Sequence, residues 1–261
     1  MPFTPLLADY LPIEQLGAES LRERGASSAL PPLYFLHVWW ARRPLTVSRA
    51  AVLASLLPAY EAIARGDDPA LREAFPTREA YHAWFLRLLG IFGDPAATRR
   101  RLEEAKRTGK HLGANPYGYP RAFTANPTPE MLATLRRLFR LAWGREDLTV
   151  LDPFAGGGSI PLEAIRFGLE ALANELNPVA AVVLAATLDY PARYGPALAA
   201  EIRRWGQVWA DRVRERLAPF FPKAKGENIF AYLWARTVAC PRTGKPVPLS
   251  PNWWLSKGKT P

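Results

Sequence analysis

Residues 148–177, LTVLDPFAGGGSIPLEAIRFGLEALANELN, constrain the fold more than any other part of the chain. LTVL is a short β-branched and aliphatic run bounded by turn formers, which predicts a buried strand of a parallel sheet ending at Asp152. In the loop that follows, Gly156, Gly157 and Gly158 remove every Cβ that would keep a ligand off the backbone. Ser159 reads as the N-cap of a helix, Pro161 falls in its first turn where a missing N–H costs little, and Glu163, Ala164 and Ile165 carry it to a stop at Gly168. ALAN then predicts a second strand ending at Glu175. That acid stands at the spacing of about twenty residues expected of a carboxylate that holds ribose hydroxyls.

Several cofactors use a strand, glycine turn and helix. A dinucleotide fingerprint requires a third glycine at Pro161, and no Lys-Ser/Thr pair follows the glycines as in a phosphate-binding P-loop, so both are disfavoured. The wording DPFAGGGSIPLEA, with ELNP after the second strand, resembles motifs I and II of S-adenosyl-L-methionine-dependent methyltransferases acting on nucleic-acid amino groups. The resemblance implies an α/β, Rossmann-like methyltransferase core. It places the cofactor on Asp152, Pro153, Phe154, Ala155, Gly156, Gly157, Gly158, Glu175, Leu176 and Asn177. The competing reading is an ordinary βαβ turn with structural glycines.

The N-terminal region is helical in pattern. IEQLGAESLRERG is a helical stretch closed by Gly25, and the segment after Pro44 has Val47, Ala51, Leu53, Ala54 and Leu57 at helical spacing up to Pro58. Between them His37, Trp39, Trp40, Arg42 and Arg43 crowd into seven residues. Either the tryptophans are core anchors beside a solvated basic face, or the arginines meet phosphates while an aromatic stacks on a base or on adenine. HVWWARRPLTVSRAAVLASLLP, preceded by LPIEQLGAESLRERG, resembles the N-terminal domain of unknown function found at the front of large adenine-specific DNA methylases that carry a zinc ribbon. The same family resembles the chain again through the glycine-turn region and at AYLWARTVACP. On that resemblance residues 37–43 are candidate nucleic-acid contacts.

Farther on, Asp94 is placed to cap a helix whose Arg99, Arg100 and Arg101 face Glu103 and Glu104 as a solvated surface. A long Pro- and Gly-rich connection leads to Thr128, which caps a helix with Pro129 at its first position. That helix carries an apolar stripe at Leu132, Leu135, Leu138, Phe139 and Ala142 and stops at Gly144. In resembling methyltransferases such a connection lines the methionine end of the cofactor, so Phe123, Thr124 and Asn126 are further candidates; the alternative is a plain connector. Ile202, Trp205, Val208, Trp209 and Val213 form another helical stripe, read as core.

A net charge of +10 favours a polyanionic partner, here DNA. Cys240 is the single cysteine, which excludes an internal disulfide and fits a reducing, cytoplasmic setting. The first residues lack a signal-peptide pattern, and no apolar run is long enough for a membrane span. His82 and His111 lack ligand spacing, and one cysteine cannot build the zinc ribbon of the resembling family, so no metal is expected. The expected divisions are a helical domain at 1–112, an incomplete methyltransferase core at 113–219 and a degenerate ribbon, two short strands about a turn, at 220–261.

Amino-group methyltransferases recognise the amine with an Asp/Asn/Ser-Pro-Pro-aromatic motif, which these residues lack; the Asn115-Pro-Tyr117 run misses the second proline. Hence no catalytic residue is assigned, and a second polypeptide or a missing C-terminal part is expected to supply the motif. Two other functions remain open: a non-catalytic DNA-binding or scaffold subunit, and an RNA guanine methyltransferase.

Overall fold

Short apolar segments cut by proline and by capping side chains produce a run of helices before any strand. The computed structural model describes residues 3–25, 30, 31, 33–221, 226, 229 and 231–250. The helices are α1 (Leu6–Asp9), α2 (Ile13–Arg24), α3 (Leu33–Leu36), α4 (Leu45–Leu56), α5 (Tyr60–Arg65), α6 (Pro69–Ala74), α7 (Arg78–Leu88), α8 (Pro95–Thr108) and α9 (Pro129–Trp143). Local chemistry sets several of these bounds. Asp94 Oδ1 accepts the Ala97 N–H at 2.9 Å to start α8. Thr128 Oγ1 accepts the Met131 N–H at 3.2 Å to start α9, which ends at Gly144 with φ +70°.

Then follow β1 (Thr149–Asp152), α10 (Ser159–Arg166), β2 (Glu170–Ala173) and α11 (Pro178–Leu184). The strands pair in parallel, Thr149 with Glu170 through Asp152 with Ala173, so β1, α10 and β2 form a βαβ unit. Helical backbone continues past α11 through a π-type turn (Ala185–Asp189) into α12 (Tyr190–Tyr194). The protein is a mixed α/β chain, mostly helical, with two small sheets among the described residues.

One apolar cluster joins the helices to the βαβ unit. It contains Leu6, Leu53 and Leu57, Tyr81 and Phe85 of α7, Leu135 and Phe139 of α9, and Leu148, Ala164, Phe167 and Leu169 around β1, α10 and β2. Each fully buried side chain of this size contributes about 1.5–3 kcal/mol. The division expected at 112/113 falls inside this unit, which runs Met1–Leu198. Helix α4 is buried on most sides by α1, α2 and α10. Consequently Val47 and Ala51, expected to face inward, are exposed, while Ser48 and Arg49 are buried.

The sheet has two unlike faces. Val150 and Ala171 pack on the cluster, whereas Leu151 and Leu172 point outward with 64% and 51% of their surface exposed. Parallel sheets are ordinarily covered on both faces.

The second unit is Ala199–Pro261. Its main elements are α13 (Ala197–Leu217, entering from the first unit) and an antiparallel hairpin of β3 (Arg236–Ala239) and β4 (Pro246–Leu249). The hairpin is the strand–turn–strand read from the sequence. Its turn is closed by the Cys240 N–H on Lys245 O at 2.9 Å and the Gly244 N–H on Cys240 O at 2.8 Å. The α13 stripe corrects an expectation. Ile202, Trp205 and Trp209 are exposed and no residue of α13 is buried, so amphipathic spacing here does not mark core.

Candidate functional site

β1 delivers Asp152 to the carboxyl end of the sheet, where its buried side chain accepts the Phe154 N–H at 3.2 Å and begins the glycine loop. Backbone bonds tie this loop to the end of β2: the Asn174 N–H reaches Asp152 O at 2.9 Å and the Ala155 N–H reaches Asn174 O at 3.0 Å. Gly158 has φ +85° and caps α10, so Ser159 is the first helical residue rather than the cap expected from sequence. The reason is tertiary. Ser159 Oγ donates to Arg43 O at 2.9 Å, which takes the hydroxyl away from the helix end and anchors the 37–43 segment over the loop.

Glu175 stands opposite the loop. Its carboxylate accepts the Asn177 N–H at 3.0 Å and the Gly156 N–H at 2.7 Å. These two donors, Asn177 first and Gly156 next, hold the carboxyl below the usual range, so Glu175 is ionised near neutral pH.

Trp39 explains two of the glycines. Its side chain, only 9% exposed, lies on the loop. A Cβ on Gly156 would come within 2.9 Å of the indole Nε1, and one on Gly157 within 2.9 Å of Trp39 Cβ. At Gly158 a Cβ would meet Leu184 at 2.9 Å and Leu188 at 3.1 Å. The space freed by the missing side chains, expected to admit a ligand, is taken in this structure by the protein's own Trp39, Leu184 and Leu188.

A buried ion pair holds the same two regions together. Arg49 Nε donates to Glu163 Oε2 at 2.7 Å with both side chains wholly buried, joining α4 to α10. The remaining Arg49 donors reach Leu89 O at 3.0 Å, Ala122 O at 3.2 Å and Ala125 O at 3.1 Å. Glu23 accepts the Leu45 N–H at 2.9 Å and the Thr46 N–H at 3.3 Å, capping α4 from α2; burial pushes its carboxyl above the ordinary range.

Three concavities surround this junction. A cleft of about 240 Å³ lies on the glycine loop, lined by Trp39, Asp152, Phe154, Gly156, Ser159 and Glu175 among others. A groove of about 480 Å³, lined by Pro161, Ile165, Ala171, Asn174, Leu184 and Asp189 among others, also includes Glu175. A third, of about 490 Å³, is lined by Arg24, Tyr34, Trp39, Trp40, Arg42 and Arg43.

The expected cofactor residues divide accordingly. Asp152, Phe154, Ala155, Gly156, Gly157 and Glu175 line the loop cleft. Pro153 is exposed, and its carbonyl accepts from Asn174 Nδ2 at 3.2 Å; Leu176 projects into solvent; Asn177 Oδ1 caps α11 through the Val179 N–H at 2.9 Å. Phe123, Thr124 and Asn126 do not line the cleft. Phe123 packs with Leu33, Tyr34 and Leu45, Thr124 Oγ1 donates to Arg121 O at 2.7 Å, and Asn126 Oδ1 accepts from Arg166 at 2.9 Å.

Of the 37–43 cluster, Trp39 belongs to the loop, His37 and Trp40 are exposed, and the Arg42 guanidinium lies 3.9 Å over the Tyr34 ring. Sequence reasoning missed Arg24, Tyr34, Arg49 and Glu163. No local signal marks them: Arg24 ends an ordinary charged helix, and Arg49 meets Glu163 across 114 residues.

A family model matches the part of the chain that contains the 37–43 segment. Its description is a protein of unknown function (DUF1156), and it covers residues 10–82, less than a third of the chain, including Glu23, the tryptophan–arginine cluster and Arg49. No curated protein and no solved structure matches the chain. No group of three or more His, Cys, Asp or Glu among the described residues could hold a metal ion, and no described helix is long and apolar enough to cross a membrane.

Proposed function

We propose that the chain is the front part of an S-adenosyl-L-methionine-dependent methyltransferase acting on the adenine amino group of DNA. The observation that carries this reading is the place of Glu175. It is an ionised carboxylate just past the end of the second parallel strand, bonded to the glycine loop and lining two concavities. Ribose hydroxyls suit such an acceptor. The loop cleft is smaller than the roughly 300–1,000 Å³ of a whole small-molecule site, so it suits one end of a ligand that continues past Glu175 into the neighbouring groove. That shape fits a cofactor with an amino-acid end, a ribose and an apolar base. When bound, S-adenosyl-L-methionine supplies a methyl group on a positive sulfonium; Asp152 and Glu175 bring negative charge to that end of the sheet.

The amine-recognition motif comes, on this reading, from a second polypeptide or a continuation of the chain. The uncovered outer sheet face at Leu151 and Leu172 supports an additional partner layer. Calorimetric titration of the chain with S-adenosyl-L-methionine tests the proposal. Binding weakened by about tenfold to a hundredfold in Glu175→Ala is expected from loss of a charged hydrogen-bond acceptor. Absence of binding to the wild-type chain, alone and with any partner polypeptide, would remove the cofactor assignment.

A further inference from the structure

We infer that the cavity of about 490 Å³ between α2, the 37–43 segment and Tyr34 is a binding site for one unstacked nucleotide of a DNA strand, held by the helical region and not by the sheet. The inference takes from the proposed function only that the polyanion is DNA. Arg24, Arg42 and Arg43 line this cavity, and none has a carboxylate partner among the described residues. Arg49 and Arg99, by contrast, are paired with Glu163 and Glu103. Three like charges converging on one concavity repel one another and raise a local positive potential, and an anion entering it relieves that repulsion. Arginine's planar fork suits phosphate oxygens.

The remaining walls specify what the anion carries. Tyr34 is occupied beneath Arg42, with the guanidinium 3.9 Å from its ring centroid. Trp39 is fixed on the glycine loop. Trp40 is different: its ring leans on Trp39 at 5.6 Å between centroids with the planes tilted by 54°, while 85% of its surface stays in solvent. So large an exposed indole beside unpaired arginines is a stacking surface for a planar base whose phosphate lies on those arginines. A nucleobase within a duplex is stacked on both faces, so the site takes a nucleotide from a single strand or one extruded from a helix.

Trp39, Ala41, Arg42 and Arg43 line both this cavity and the glycine-loop cleft, so the same short segment separates the nucleotide from whatever occupies the loop. The family-model match at residues 10–82 spans Arg24 and the whole cluster.

The test is fluorescence-anisotropy titration of a labelled single-stranded DNA of about eight nucleotides over a range of salt, with the full chain and with Arg24→Gln, Arg43→Gln and Trp40→Ala. Trp40 is so exposed that its replacement removes little packing. The expected result is a salt slope lower by about one unit for each arginine variant, and affinity about tenfold weaker for Trp40→Ala. Free dAMP should compete better than inorganic phosphate. Unchanged slopes in both arginine variants would overturn the proposal, and so would equal competition by phosphate and dAMP. S-adenosyl-L-methionine binding is measured in parallel on the wild-type chain: if it fails while the DNA results hold, the cofactor reading falls and the nucleotide site stands.

Discussion

Arg49 and the trio of Arg24, Arg42 and Arg43 are the same side chain in opposite surroundings within one unit. Arg49 is wholly buried, with its donors spent on Glu163 and three carbonyl oxygens. The trio surrounds a cavity without acidic partners among the described residues. A buried charge must be matched by the protein itself, because nothing else can compensate its lost hydration. A charge at a cavity wall keeps that requirement open, and an outside ligand can meet it. The difference separates residues that hold the 10–82 region against the βαβ unit from residues available for binding.

The largest expected effect comes from breaking the buried pair. Glu163→Ala should lower stability by about 3–5 kcal/mol in urea titrations, because it strands the Arg49 charge. Arg49→Met combined with Glu163→Leu should cost less than the Glu163 single variant. A single-variant loss below about 1 kcal/mol would show that the pair does not anchor the junction.

Next comes the contact between the 37–43 segment and the glycine loop. Gly156→Ala meets the Trp39 indole and must hold φ +52°, so a loss of about 2 kcal/mol is expected. Repeating the change in a Trp39→Ala background should recover about 1 kcal/mol as coupling. Strict additivity would mean that Gly156 serves the backbone turn alone.

Glu23 supplies a pH test of the same buried set. Its folded carboxyl is pushed above the ordinary range by burial, so its contribution is fully present at low pH and is lost as pH rises from the ordinary carboxylate range through the raised folded value. Thermal melts across this window should show Glu23→Gln losing less stability with rising pH than the wild type. Parallel curves would remove Glu23 from that balance. The smallest effect is expected at the open arginines: Arg24→Gln and Arg43→Gln should change unfolding free energy by no more than about 0.5 kcal/mol. A large loss there would turn them from binding residues into structural ones and erase the contrast.

How much could be read in advance follows the range of the forces. Thr128, Pro129 and Gly144 bound α9 because a cap, a fixed φ and a left-handed turn act within a few residues. The strand, glycine turn, helix and second strand of 148–177 were equally legible, whereas the bond between Glu175 and the Gly156 N–H was not. Ser159 failed as a cap because Arg43 O, 116 residues away, competes for its hydroxyl. Phe123, Thr124 and Asn126 sit on a connection whose direction no local pattern sets, and they line a packing interface and an Arg166 contact rather than the cleft.

The amino-acid order by itself determined the βαβ unit, the caps of α8 and α9, the basic charge and the aromatic–arginine cluster, since each is written in neighbouring residues. Tertiary structure alone decided that Trp39 fills the space beside Gly156 and Gly157, that Arg49 lies buried on Glu163, and that Arg24 joins Arg42 and Arg43 around one cavity. These outcomes depend on which distant side chain wins the same few cubic ångströms or the same carboxylate. That competition is settled by close packing and by the cost of an unpaired buried charge, neither of which has a sequence period.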